Sequence, residues 1–262
     1  MKPQEEAVLK QMALNRRARA LAYAFLQRGH KAGIPDQFLR INQEKFRKLL
    51  CTSYHKNVDA IADFVYKHPE ELMEIPFILI DGGDHRARNM AGFAILFRLI
   101  TCDKIGMFHS FRQLVHQFST WETMSVKRND LASNLKQYDA LFIGEASPEK
   151  ISAHTETPVF FDEVFHERLN NIRPTIISYS KQMGEVIYDD KCSQSFADFS
   201  VHYKSGNYMD RSNKVQEGSD ENPCGNYFRV RVKASTNLEE ETDMGYLGIE
   251  VEDSEKIRRG VK

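Results

Sequence analysis

The chain has 262 residues, of which 41% are hydrophobic and 28% charged, with a net charge of −1. This is the composition of a soluble globular protein with room for one large or two modest domains. No apolar run approaches the ~20 residues that span a bilayer, and the opening MKPQEEAVLKQ carries acids where a signal peptide needs an apolar core, so the expectation is a cytoplasmic protein with no membrane contact.

Cys51, Cys102, Cys192 and Cys224 are far apart, with no CxxC pair and no histidine at ligand spacing. They read as reduced thiols, not a disulfide framework or a zinc site, and no metal is expected. Charge is uneven. Residues 1–30 hold six Lys/Arg against two Glu, and residues 217–262 hold seven Lys/Arg against eleven Asp/Glu. A basic front permits nucleic-acid contact without demanding it.

In chain order, residues 4–29 have helical periodicity, with Leu14, Ala18, Leu21 and Phe25 on one face and Arg16, Arg17, Arg19 and Arg28 elsewhere. Those arginines are either a solvated face or a phosphate-contacting surface. Residues 42–72 read as two helices and a short third opened by Pro69. A strand is expected at 77–80, a helix at 90–101 and a second strand at 105–108. A helix carrying Leu114, Val115 and Phe118 follows, with Trp121 near its end. Then come a helix at 130–138, a strand at 140–143, a helix around 164–169 and a strand at 175–178. Residues 195–203 are a candidate further strand. Short apolar strands alternating with helices imply a parallel α/β sheet covered on both faces. Tyr227–Val232 alternates like a hairpin strand, and 245–251 resembles it. Residues 214–262 are therefore expected to form a C-terminal appendage, partly disordered, beyond an N-terminal basic helix at 1–30 and an α/β domain at 31–213.

Three stretches carry candidate chemistry. The first is strand, turn and helix: ILIDGGDHRARNMAGFAILFRLI, residues 78–100. This is the context of a phosphate-binding loop, GxxxxGK[ST]. Gly82 fills its first position, Gly83 follows, and Ala87, Arg88 and Asn89 stand where Gly, Lys and Ser/Thr belong. Arg88 keeps the charge but not the compact ammonium, Asn89 keeps an oxygen but not the hydroxyl, and Asp84 adds negative charge. The loop is either a phosphate cradle or an ordinary strand-to-helix turn. The second stretch, Tyr138–Glu145, resembles a Walker B strand with Gly144 in place of its metal-orienting Asp, leaving Glu145 to polarise water. The third, Arg173–Ser180, is a strand ending in hydroxyls. His109 and His116 are seven apart and could suggest a ligand face, and His154 and Asp162 are too isolated in sequence to be nominated as an acid–base pair.

Taken together, the landmarks AGIPDQF (32–38), the 78–100 segment, IGMFHSFRQLV (105–115), YDALFIGEA (138–146) and FDEVFHERLNNIRPTIISYS (161–180) resemble the DnaC/DnaI/IstB group of AAA+ helicase loaders and transposase helper ATPases, over residues 14–213. The resemblance implies a P-loop NTPase-like (AAA+) α/β fold with helices on both faces. By position, Gly82, Gly83, Arg88 and Asn89 are the nucleotide-binding candidates, Glu145 matches the Walker B glutamate and Ser180 falls at the sensor position, these two being the catalytic candidates. Arg168 precedes the sensor strand, and Arg211 lies in the family's last arginine region. DNA would be met by Arg16, Arg17, Arg19, Arg86 and Arg88. The implied partners are single-stranded DNA and a DnaB-type replicative helicase, with homo-oligomerisation a further expectation. Gly144 removes the metal-binding Asp, and Gly184–Asp190 offers acids where an arginine finger belongs. ATP with Mg²⁺ is thus a weak expectation, and the leading reading is an ATPase-deficient adaptor, of phage or mobile-element type. An active divergent ATPase and an inhibitor occupying the loader's place on the helicase remain alternatives.

Overall fold

The computed structural model describes residues 3–55, 57–120, 125–146, 157–179, 207–209, 215–217 and 227–233. The elements in order are α1 (Pro3–Lys31), α2 (Gln43–Leu49), α3 (Val58–Lys67), α4 (Pro69–Leu72), β1 (Phe77–Gly82), α5 (His85–Thr101), β2 (Gly106–Ser110), α6 (Phe111–Thr120), α7 (Ser125–Gln137), β3 (Ala140–Ala146), α8 (Thr157–Asn170), β4 (Thr175–Tyr179), β5 (Asn207–Met209), β6 (Val215–Glu217) and β7 (Tyr227–Val232). Asn42 and Asn57 cap α2 and α3, their side-chain oxygens accepting from Lys45 N–H at 2.9 Å and Ala60 N–H at 3.0 Å, which fixes where those helices begin.

Five strands form one sheet in the order β2-β3-β4-β1-β7, and every pairing within it is parallel. The short pair β5–β6 is antiparallel and separate. Side chains alternate across the sheet. Ile78, Ile80, Phe142, Ile176, Phe228 and Val230 bury one face against α5 and the end of α1. Phe77, Leu79, Leu141, Ile143 and Ile177 bury the other against α6, α7 and α8. Two apolar layers around a parallel sheet are the architecture that the near-unbroken apolar strands implied. Gly92 lets α5 lie close on the sheet, since a Cβ there would come within 2.2 Å of the Phe142 ring.

Two expectations are corrected. Tyr227–Val232 is not a hairpin strand of an appendage but the fifth strand of the main sheet, with Asp81 opposite Arg231 and Gly82 opposite Val232. Its outer edge is stitched to the segment after α2. Cys51 N–H donates to Arg231 O at 2.9 Å, Lys233 N–H to Leu49 O at 2.9 Å, and Arg231 N–H to His55 Nε2 at 2.9 Å. The boundary drawn at 213/214 therefore does not separate this strand from the α/β domain. Second, the apolar face expected along α1 is only partly buried. Phe25 and Leu26 pack on the core, but Leu14 and Leu21 are each 59% exposed. Trp121 and the candidate strands at 195–203 and 245–251 lie outside the described residues.

Candidate functional site

Parallel pairing brings the C-terminal ends of β1, β3 and β4 together, the edge at which open α/β sheets bind ligands. The β1–α5 turn, Glu145 and Ser178 meet there. The turn itself is short. β1 ends at Gly82 and α5 begins at His85, so only Gly83 and Asp84 link them. A phosphate loop spreads four variable residues between its glycines and turns their N–H groups on the anion. Here two of the four corresponding residues, His85 and Arg86, are already helical. Asp84 caps the helix, its carboxylate accepting from Ala87 N–H at 2.8 Å, so the protein's own anion holds the helix N-terminus where a phosphate would bind. Ala87 lies within α5 and is buried, so the strain a loop conformation would impose on it does not arise.

Arg88 fills what remains of the turn. Its side chain is 6% exposed. Nη1 donates to the carbonyls of Gly82 and Gly83, both at 2.9 Å. Nε and Nη2 donate to the two oxygens of Glu145 at 3.1 and 2.8 Å. This is a bidentate, charge-assisted pair, and it reverses the electrostatics of a phosphate cradle. Carbonyl oxygens, not N–H groups, face the centre, and a guanidinium sits among them. The expectation that Arg88 lies on a DNA-contacting surface is corrected by this burial and pairing.

Glu145 is held to this role. A register shift between Ile143 and Ala146 marks a bulge in β3, and Glu145 adopts φ +59°, a left-handed conformation that costs a non-glycine residue free energy. Its N–H donates to Ser178 Oγ at 2.8 Å. Both carboxylate oxygens of Glu145 are thus engaged by Arg88. Beside it, a Cβ on Gly144 would lie 2.8 Å from the Phe108 ring and 3.4 Å from Asn89 Oδ1. The position of the Walker B aspartate is therefore closed by packing. Asn89 Oδ1 is buried with no hydrogen-bond partner among the described residues.

The glycines of the turn have a different use from the one their motif suggests. At φ +78° and +47° respectively, a Cβ on Gly82 would lie 2.6 Å from Val232 O, and one on Gly83 would lie 2.6 Å from Lys233 O. They admit the end of β7, not an anion. On the α6–α8 face of the same edge, Asp81 is 1% exposed and receives both Arg229 and Arg231, the latter through Nε at 3.0 Å and Nη2 at 2.8 Å. Both guanidiniums lie over the Tyr54 ring, at 4.5 and 4.4 Å from its centroid. Burial pulls the Arg229 pKa down, while the Asp81 hydrogen bond raises that of Arg231.

The other sequence candidates are scattered. Arg16, Arg17 and Arg19 are exposed on α1, and Arg86 is exposed on the first turn of α5. Arg168 is fully buried and donates to Thr175 Oγ1, Leu135 O, Tyr138 O and Pro174 O at 2.7–2.8 Å. Burial lowers its pKa to about 9, yet each of those contacts needs an N–H, so it is a clamp joining α7, α8 and β4. Ser180 and Arg211 lie outside the described residues. Ser178 is one of the hydroxyls expected at the end of the 173–180 strand, whereas sequence reasoning missed Asp81, Arg229 and Arg231. Among the described residues, the cluster with metal-ligand spacing is exposed His68, Glu70 and Glu71, on and beside α4, and no helix is long and apolar enough to cross a membrane.

The fold is a five-stranded parallel α/β sheet with helices on both faces. No protein-family model matches the chain, and no curated protein matches it. Among solved structures, the chain is similar to AMPPCP-bound DnaA from Aquifex aeolicus (13% identity, TM-score 0.47, covering 61% of this chain and 47% of that one). It is also similar to DnaI (11% identity, TM-score 0.45, 72% and 94%) and to the DnaC helicase loader (15% identity, TM-score 0.44, 75% and 99%). It thus spans less than half of the DnaA chain it matches.

Proposed function

We propose that the protein is a helicase-loader-type adaptor of DNA replication that works without ATP hydrolysis, binding single-stranded DNA and a DnaB-type ring helicase. The observation that carries the loss of ATPase chemistry is the Arg88 bridge from the Gly82 and Gly83 carbonyls to both oxygens of Glu145. It occupies the nucleotide edge with a cation and engages the one carboxylate that would polarise water. The replication role rests on the order of landmarks that resembles the DnaC/DnaI/IstB group, supported by a parallel sheet in which the C-terminal ends of β1, β3 and β4 lie together.

DNA contact is assigned to the exposed Arg16, Arg17 and Arg19 of α1 and to Arg86. Lys and Arg on phosphates supply affinity without sequence preference, and each contact adds to the salt slope. With no hydrolysis, loading would run on the differential affinity of the partners for one another. The test is a pull-down from host extract scored for the replicative helicase, paired with oligo-dT binding. Helicase and DNA capture together support the adaptor. Capture of helicase without DNA binding favours an inhibitor that occupies the loader's place, and loss of both removes the replication reading.

A further inference from the structure

The helix α1 is held to the domain at its C-terminal end. Gly29 lies so close to Leu39 and Phe97 that a Cβ there would come within 2.3 and 3.3 Å of them. Phe108 N–H donates to Ala32 O at 2.8 Å, and Phe25 and Leu26 pack on the core. These contacts fix the direction of the residues before them. At about 100° per residue, buried Gly29 and half-buried Ala22 mark the side turned to the domain. Arg16 and Tyr23 fall within about 20° of each other and about 100–140° away from that side, and the exposed Leu14 and Leu21 lie about 140–180° round from the pair.

Tyr23 is 65% exposed, although an aromatic side chain ordinarily contributes through the large area it buries. Its neighbours Ala20 and Ala24 are also exposed and end at a methyl group, which leaves room beside the ring. The ring stands on the arginine side of the helix, away from the leucines that an apolar protein partner would engage. The charge of this stretch is of one sign. Residues 7–35 contain six Lys/Arg and no acid, so the helix complements a polyanion.

We infer that Tyr23 is a base-stacking platform that makes α1 select single-stranded over duplex nucleic acid, with Arg16 on a phosphate of the same strand. This rests on the DNA-binding reading of α1 and adds an element which that reading lacks, because phosphate contacts alone give no preference for a single strand over the more densely charged duplex. An unpaired base has a free π face, and stacking on it tolerates any sequence. Inside a duplex, both faces of each base are covered by its neighbours. Arg16 and Tyr23 are ~10.5 Å apart along the helix axis, or roughly three nucleotides at the ~3.4 Å spacing of a stacked strand. One strand lying along α1 therefore meets both side chains.

The test measures binding of a 20-nucleotide oligo-dT and of a 20-base-pair duplex, over a salt series, by the native full chain and by Tyr23→Ala, Tyr23→Phe, Arg16→Ala and Leu21→Ala. Tyr23→Ala is expected to weaken oligo-dT binding at least about fivefold, the low end for one stacked base, and duplex binding less than about twofold. Its salt slope stays native because stacking releases no counterion, whereas Arg16→Ala lowers the oligo-dT slope by about 0.7. Tyr23→Phe keeps the native affinity. Leu21→Ala, 59% exposed in the native chain on the other side of the helix, leaves both affinities unchanged. Irradiation of an oligo-dT carrying 5-iodouracil cross-links the peptide at Tyr23. Native oligo-dT affinity in Tyr23→Ala, or equal losses on oligo-dT and duplex, overturns the platform and leaves the DNA reading in place. A cross-link map without Tyr23 does the same, as does a Leu21→Ala loss equal to that of Tyr23→Ala, which assigns the effect to the helix as a whole. A native chain that binds neither nucleic acid removes the DNA reading and the platform with it.

Discussion

Removal of the Arg88 side chain separates a structural role for this residue from a nucleotide-binding one. The pair it makes lies between two regimes. Exposed ion pairs contribute ~0–1 kcal/mol, and breaking a fully buried pair costs ~3–5 kcal/mol. Arg88 is 6% exposed and Glu145 31%, so in Arg88→Ala the abandoned carboxylate can draw water on its open side. The carbonyls of Gly82 and Gly83 lose their side-chain donor. A destabilisation of about 2–3 kcal/mol follows, or roughly 4–12 °C in Tm for a chain of this size. Glu145→Gln is the more costly change, about 3–4 kcal/mol, because it leaves a nearly buried guanidinium without its counter-charge. Thermal and urea unfolding of both variants and of the double variant measure the coupling directly, expected at about 2 kcal/mol. A loss below about 0.5 kcal/mol in both single variants, or zero coupling, would refute the bridge. Arg88→Lys does not rescue stability, because one ammonium cannot span two carboxylate oxygens and two carbonyls.

Three further outcomes are expected. Asp81→Asn preserves shape but strips the counter-charge from Arg229 and Arg231, so the urea midpoint falls by the equivalent of about 3–5 kcal/mol; a loss under about 1 kcal/mol would mean that β7 is held by its backbone ladder alone. Gly144→Asp, which restores the Walker B residue type, costs about 1–3 kcal/mol through its clash with Phe108 and confers no Mg²⁺ affinity by calorimetry. Burial holds the His109 pKa below 6.5. The unfolded chain therefore takes up that proton first, so stability is complete above about pH 6.5 and falls as pH drops from there through the folded value, by at most ~1.4 kcal/mol per pH unit. His109→Gln removes that share of the acid slope, and an unchanged slope would contradict the assignment.

Much of the sheet was legible because its strands are short apolar runs in phase with helical periodicity. Phe77–Ile80 and Ala140–Ile143 need no partner to be recognised as buried on both faces. β7 was misjudged for the opposite reason. YFRVRV alternates, and alternation reads as a half-solvated strand. Its arginines instead face a buried carboxylate, and the available signal was Asp81, an acid ending an apolar strand. Arg168 looked like a site residue because of its position before β4. Its role as a clamp depends on three main-chain carbonyls and the Thr175 hydroxyl, acceptors that no local pattern reveals. The site was the least legible. Gly82, Gly83 and Arg88 each match a motif position by type, but their roles follow from Val232, Lys233 and Glu145, which converge only through the sheet order.

The central claim is that Arg88, paired with Glu145, closes the nucleotide edge. Calorimetric titration of the native chain with ATP, with and without Mg²⁺, tests it most directly. The account predicts no binding into the millimolar range under either condition. Micromolar affinity that Arg88→Ala abolishes would contradict it.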